Sequence, residues 1–202
     1  MNFCISKGNT KLGKILNISM PSYYSCPGRS KWCEKECYVL KYQKRYKVCE
    51  RSYENNFQYS KDQTNFSDMI INKISKTCES IVRIHTSGDF YSEDYIDSWI
   101  KICSSLSSIK FWTYTRSWVI PNLFEKIKVL NKLNNIQIFL STDITMPDPP
   151  DGFRIAYINN DKRANGFECL YEKNKKTCLE CGYCYKTKKG NVIFGKHDKR
   201  TN

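Results

Sequence analysis

Apolar positions change their period along the chain. SIVRIHTSGDF (80–90) is β-branched and closes on a Gly turn, as a strand does. SEDYIDSWIKICSSL (92–106) then spaces Tyr95, Ile96, Trp99, Ile100 and Cys103 as one face of a helix. IKFWTYTR (109–116) predicts a strand, and PNLFEKIKVLNKL (121–133) a helix with Pro121 in its first turn. IQIFLSTD (136–143) predicts a third strand of this series, and FRIAYI (153–158), after the Pro-rich MPDPPDG, a fourth. Upstream, KILNISMP (14–21) predicts a first strand stopped by Pro21. Trp32 to Ser60 holds no Pro or Gly, so one long helix rich in Lys, Arg and Tyr is expected. NFSDMIINKISKTC (65–78) predicts another helix, with Ser67 as candidate N-cap.

Strands that alternate with helices of this length imply βαβ units and a parallel sheet. The expected fold is α/β with about five strands, either an open, doubly wound parallel sheet or a partial (βα) barrel. Residues 1–160 would form this core and carry an N-terminal three-cysteine loop. Residues 161–202 are polar, Lys-rich and hold four cysteines, so they are expected as a metal-stapled, cysteine-rich appendage packed on the core.

Composition sharpens the picture at three points. No apolar run flanked by basic residues opens the chain, and none approaches the ~18 apolar residues of a membrane span, so a cytoplasmic protein is expected. Eleven cysteines is a high and odd number, which in a reducing compartment points to metal ligation rather than disulfides. The formal net charge of +13 admits nucleic acid as a partner, although a basic face can be merely solvated.

Seven of the cysteines form two groups. Cys169, Cys178, Cys181 and Cys184 are spaced C-x8-C-x2-C-x2-C, enough thiolates for tetrahedral zinc or a [4Fe–4S] cluster. Two steps sharing their middle cysteine favour iron–sulfur, with zinc as the alternative. Cys33 and Cys37 are four apart, on one helix face, and Cys26 lies on the preceding loop. Three thiolates hold a [4Fe–4S] cube by three corners and leave one iron open. Cys4, Cys49, Cys78 and Cys103 are read as core or surface residues, with Cys4 a spare ligand.

Ligands in parallel α/β folds bind at the C-terminal ends of strands. Those ends bring His85, Ser87 and Asp89, then Tyr114, Thr115 and Arg116, then Ser141 and Asp143. Asp89 suits an amine or a base role, and Arg116 a carboxylate or phosphate. The plainer alternatives are that Asp89 and Asp143 cap the following helices and that His85 is a hydrogen-bonded core residue. GNTKLGKI (8–15) fits most of a phosphate loop, but Ile15 stands where a Mg²⁺-binding hydroxyl belongs, so a Gly-punctuated turn is the better reading. The basic aromatic stretch YVLKYQKRYKVCERSYENNFQY suits either nucleic-acid binding or an amphipathic helix with Tyr inside and Lys outside; the second is favoured.

ISKGNTKLGKI, the N-terminal cysteine loop, RIHTSGDFYSEDYIDSWI, FWTYTRSW and the closing C-x2-C-x2-C…VIFGKH together resemble the bacteriophage gene product 88 family. More distantly, a three-cysteine loop after the first strand resembles radical S-adenosylmethionine (SAM) enzymes, which are partial (βα) barrels. That resemblance implies one or two [4Fe–4S] clusters, with SAM at the open iron. It implies Ser87, Gly88 and Asp89 as the turn that holds the SAM amine; placement at the strand ends adds Thr115 and Ser141 as cofactor contacts, and Asp89, Arg116 and Asp143 as catalytic groups. The spacing here, C-x6-C-x3-C, departs from the C-x3-C-x2-C of those enzymes. The implied function is a phage-type iron–sulfur protein with redox or SAM-dependent chemistry in the host cytoplasm. The alternative is a non-enzymatic iron–sulfur or zinc module that binds nucleic acid or a host protein.

Overall fold

Side chains alternate between two faces along every strand of one parallel sheet, and the two faces are covered differently. The computed structural model describes residues 3–195, so Lys196 and His197 of the VIFGKH stretch lie outside the described residues. The strands are β1 (Leu16–Ile18), β2 (Ile81–Ile84), β3 (Lys110–Thr115), β4 (Ile136–Ser141), β5 (Arg154–Ile158), β6 (Phe167–Glu168) and β7 (Val192–Phe194). Their order is β1-β2-β3-β4-β5-β7-β6, with every neighbouring pair parallel. The sheet is open, with β1 and β6 at its edges.

The helices are α1 (Lys31–Glu36), α2 (Tyr38–Arg45), α3 (Lys47–Ser60), α4 (Gln63–Ser75), α5 (Glu93–Ser105), α6 (Pro121–Asn131), α7 (Leu170–Asn174), α8 (Cys178–Cys181) and α9 (Tyr183–Lys186). Strands β1 to β5 follow one another in sequence order, with no reversal. Parallel crossovers are right-handed, so the connecting helices fall on one side. Phe66, Ile70 and Ile74 of α4, Ile96, Trp99 and Ile102 of α5, and Leu123 and Ile127 of α6 form one core with Val82, Ile84, Phe111, Ile138 and Leu140. The alternate strand residues face the other way, as a period of two requires. Trp112 packs there with Leu12, Ile15 and Tyr185, and Phe139 with Ala156 and Val192. Among the described residues no long helix packs into the clusters on this second face. The C-terminal short helices and the turn over residues 8–13 do.

Four expectations change. The expected long helix is three helices, broken at Cys37 and Tyr46, where the backbone turns extended (ψ 104° and 93°). Neither break has a Pro or Gly, so local propensity does not mark it. The N-cap of α4 is Asp62, which accepts from the Asn65 N–H at 3.3 Å, not Ser67, which is buried inside the helix with its hydroxyl donating to Gln63 O. The sheet has seven strands rather than about five. The two extra strands come from the segment after residue 160, which is thereby part of the sheet rather than an appendage. At two and three residues, β6 and β7 are too short to show a period.

The GNTKLGKI stretch is a turn: Asn9 and Gly13 bridge, Gly13 has φ +73°, and the chain runs on into β1 rather than a helix.

Candidate metal–thiolate centres

The N-terminal cysteine loop is bolted onto the C-terminal ends of β1 to β4. Met20 N donates to Ser87 O at 2.8 Å, Ser87 Oγ to Met20 O at 2.8 Å, and Asp89 N to Ser25 O at 3.0 Å. Gly28 lies against the Arg116 carbonyl, and a Cβ there would also stand 2.8 Å from Ser117 N. Gly88 has φ +79°, and a Cβ on it would meet Met20 and stand 2.7 Å from Ser25 Oγ. Ser30 caps α1 by accepting from Cys33 N at 3.0 Å, and its hydroxyl donates to Asp143 beyond β4. Cys33 within α1 and Cys37 at its C-terminal cap are thereby held over the strand ends, with Cys26 on the loop before them.

The sequence-derived residues divide by role here. Ser87 and Gly88 hold the loop. Asp89 is buried and accepts from Phe90 N at 2.7 Å, Thr115 Oγ1 at 2.6 Å and Arg116 N at 2.7 Å. Burial pushes the Asp89 carboxyl upward, and those donors oppose the push. Thr115 is spent on Asp89. The Arg116 guanidinium pairs with Asp143 and reaches Met146 Sδ at 2.8 Å. Burial works against the Asp143 carboxylate, yet donation from Ser30 and Thr145 and the charge of Arg116 hold it below the usual range. Ser141 accepts from the Trp118 indole at 2.9 Å through its carbonyl. Neither aspartate caps a helix: Ser92 caps α5, and the element that follows Asp143 is strand β5 rather than a helix. His85 is a core residue, with Nε2 2.8 Å from the Tyr95 hydroxyl and Nδ1 buried without a partner.

Burial pushes the Cys26 thiol up to about 12, and the charges of Asp89, Cys33 and Cys37 push the same way. For Cys33, burial again raises the thiol, Arg116 opposes it, and Cys37, Asp143 and Asp89 add to it. The three thiols are therefore electrostatic neighbours of one another and of Asp89, and Arg116 is the compensating cation.

The C-terminal cysteines gather on the second sheet face. Cys169, Cys178, Cys181 and Cys184 line one small cavity of about 20 Å³, together with Phe167, Tyr171 and Tyr183. Thr177 and Glu180 form a capping box that starts α8. Gly182 then takes φ +72° between α8 and α9, a left-handed turn that favours glycine and swings Cys184 toward the sheet. The Tyr114 hydroxyl donates to Cys184 Sγ at 2.9 Å. The turn over residues 8–13 closes the other side: Cys178 N donates to Lys11 O at 2.9 Å and Leu179 N to Leu12 O at 3.1 Å.

Cations surround this group. Burial disfavours the Lys11 ammonium, but Cys169, Glu172 and Cys178 outweigh it and raise its pKa. Arg83 of β2 stacks 4.1 Å from the Tyr114 ring centroid, and its charge lowers the thiols of Cys178 and Cys184. Burial still dominates at Cys184 and lifts it to about 11. Lys11 and Arg83 escaped the sequence reading, and Tyr114 stood there only as a strand-end residue, because all three lie more than 60 positions from Cys178 and Cys184 and only the sheet brings them together.

A metal site is not already assembled: among the described residues no group of three or more His, Cys, Asp or Glu is arranged to hold a metal ion. A tetrahedral zinc would draw its sulfurs to within about 4 Å of one another. The donor chemistry nevertheless fits an anionic thiolate centre, since four thiols share one cavity with two cations and a hydroxyl donor beside them.

The family model described as Gene product 88 matches residues 4–200. The chain belongs to this family. Relatives named Gene 88 protein occur in Mycobacterium phage D29 and Mycobacterium phage L5, each 26% identical over 223 residues that cover 93% of this chain and 89% of the relative. It is therefore a bacteriophage gene product. No solved structure matches. None of these descriptions mentions SAM or iron–sulfur chemistry, so the likeness to radical SAM enzymes gains no support from them. No helix among the described residues is long and apolar enough to cross a membrane.

Proposed function

We propose that this protein is an iron–sulfur protein with a four-thiolate centre on the second sheet face and a three-thiolate centre at the strand ends. The observation that carries the reading is the cavity lined by all four C-terminal cysteines. It lies among helices of five, four and four residues, too short to hold themselves by backbone hydrogen bonding. Such a layer gains from a cross-link, and the C-x2-C-x2-C run, two steps that share their middle cysteine, suits a multi-iron cluster better than one zinc ion. The Cys178 and Cys184 thiols are pushed up by burial and by neighbouring thiols, so binding would expel their protons and couple to folding of this layer.

At the strand ends, Cys26, Cys33 and Cys37 would hold the second cluster, leaving one iron corner for a ligand. Such a cluster supplies one-electron chemistry and an open coordination site. SAM is the ligand we assign to that corner, on the placement of the cysteine loop after β1. Asp89 would keep a buried acceptor beside the thiols, and the Arg116–Asp143 pair would fix the loop through Ser30.

Iron, sulfide and zinc content of protein purified without oxygen tests the reading. About eight irons and eight sulfides per chain are expected for two clusters, or about four of each for one. Cys178→Ser should remove about four irons from the first total. Zinc without sulfide would overturn the reading and leave a zinc-stapled fold.

A further inference from the structure

Helix α2 is amphipathic in the wrong sense for core packing. It buries Val39 and Gln43, and the Gln43 carbonyl accepts from Ser22 N at 3.2 Å. Tyr38 and Tyr42 of α2, and Tyr46 at its C-terminal cap, are 51%, 49% and 43% exposed, the Tyr38 hydroxyl donating to Thr86 O at 3.3 Å. They recur every four residues, hence along one face. This departs from the expectation of Tyr inside at these three positions only; Tyr53 and Tyr59 of α3, in the same stretch, are partly buried, and Tyr59 packs on the core. Tyr42 and Tyr46 already sit against each other, with ring centroids 4.6 Å apart, and the Arg45 guanidinium lies 5.6 Å from the Tyr46 centroid. A second such pair occurs on the cysteine loop, where Arg29 stacks 4.0 Å from the centroid of Tyr23, itself 49% exposed. Val48 follows at 82% exposure.

Along the sequence, the charge of this stretch has one sign, and Glu50, paired with Lys47 at 2.8 Å, is the first acid beyond it. From Tyr38 to Val48 the sequence holds Lys41, Lys44, Arg45 and Lys47 and no acidic residue, in a chain of net charge +13. Exposed rings at regular spacing, interleaved with cations, form a stacking surface for unpaired bases with compensation for the phosphates between them. A duplex hides its base faces, so the tyrosines would have nothing to stack on. We propose that the outer face of α2, from Tyr38 to Tyr46, binds single-stranded nucleic acid. This holds whether or not the cysteines carry metal, since α2 contributes none of them.

Fluorescence anisotropy of the full-length protein with labelled single strands of about 20 nucleotides, DNA and RNA separately, tests it. Binding is expected to weaken steeply with added salt and to exceed binding to a duplex of equal length. Changing Tyr42→Ala and Tyr46→Ala together should weaken it at least about tenfold, while Tyr42→Phe with Tyr46→Phe should retain it, because the ring and not the hydroxyl stacks. Thermal unfolding of both variants reports that the fold is intact. Absent binding at low salt, equal or tighter binding to duplex, or an alanine pair that binds like the unaltered protein would overturn the proposal. So would sedimentation showing that the same tyrosines join two copies of the chain. Metal content, measured on the same samples, keeps this outcome separate from that of the iron–sulfur reading.

Discussion

At the scale of single residues, polar groups buried at the strand ends set the chemistry of the cysteine loop, and His85 sets a pH dependence. Burial, assisted by the charge of Arg83, lowers the His85 pKa to about 3. The unfolded chain binds a proton there near the ordinary value of about 6.5, so below that pH the unfolded state binds more protons than the folded one. The stability His85 contributes is fully present above about 6.5 and is lost as pH falls toward the folded value, at no more than about 1.4 kcal/mol per pH unit. It is the one histidine among the described residues, so urea midpoints measured between these limits should fall with pH in the unaltered protein. They should fall less steeply in His85→Gln. Gly88 shows the same scale acting through space alone: its φ of +79° and the closeness of Met20 and Ser25 let the loop pass under the end of β2. The sequence shows a Gly in a turn; only the fold shows what presses on it.

At the scale of elements, what matters is which segments can stand without partners. Helices α4, α5 and α6 bury apolar stripes on a sheet and need nothing else. Helices α7, α8 and α9 have five, four and four residues and depend on the cavity they enclose. Loss of a ligand should therefore be local. In Cys178→Ser, limited proteolysis mapped by mass spectrometry is expected to cut within 169–186 while the segment from β2 to β5 stays protected. Cleavage spread evenly over both regions would show that the short helices are no weaker than the rest.

At the scale of the whole molecule, the unreversed strand order places α4, α5 and α6 on one face and leaves the other to the last part of the chain. Strand β7 pairs with both β5 and β6, and α9 lies over β3 and β4. Removing residues 161–202 would uncover Trp112, Tyr114 and Phe139 together and open the β5 edge. The shortened chain is expected to aggregate or to bind a hydrophobic dye strongly, as read by light scattering and dye fluorescence. A monomeric, cooperatively unfolding fragment would instead mean that residues 1–160 fold alone.

The sequence by itself determined the α/β class, the strands β1 to β5, helices α4, α5 and α6, the two cysteine groups, the turn at 8–15 and the family, because these rest on periods and spacings local to the chain. His85 was legible as a core residue for the same reason, lying at the end of an apolar strand. The tertiary structure decided the rest. It decided that β6 and β7 complete the sheet, since strands this short are defined by their neighbours. It decided that Ser30, Arg116 and Asp143 tie the cysteine loop to β3 and β4, and that Lys11, Arg83 and Tyr114 face the C-terminal thiols. It also turned the tyrosines of α2 outward, because Val39 and Gln43 meet the loop on its inner side. Each of these is a contact between residues far apart in the chain, and no local period encodes such a contact.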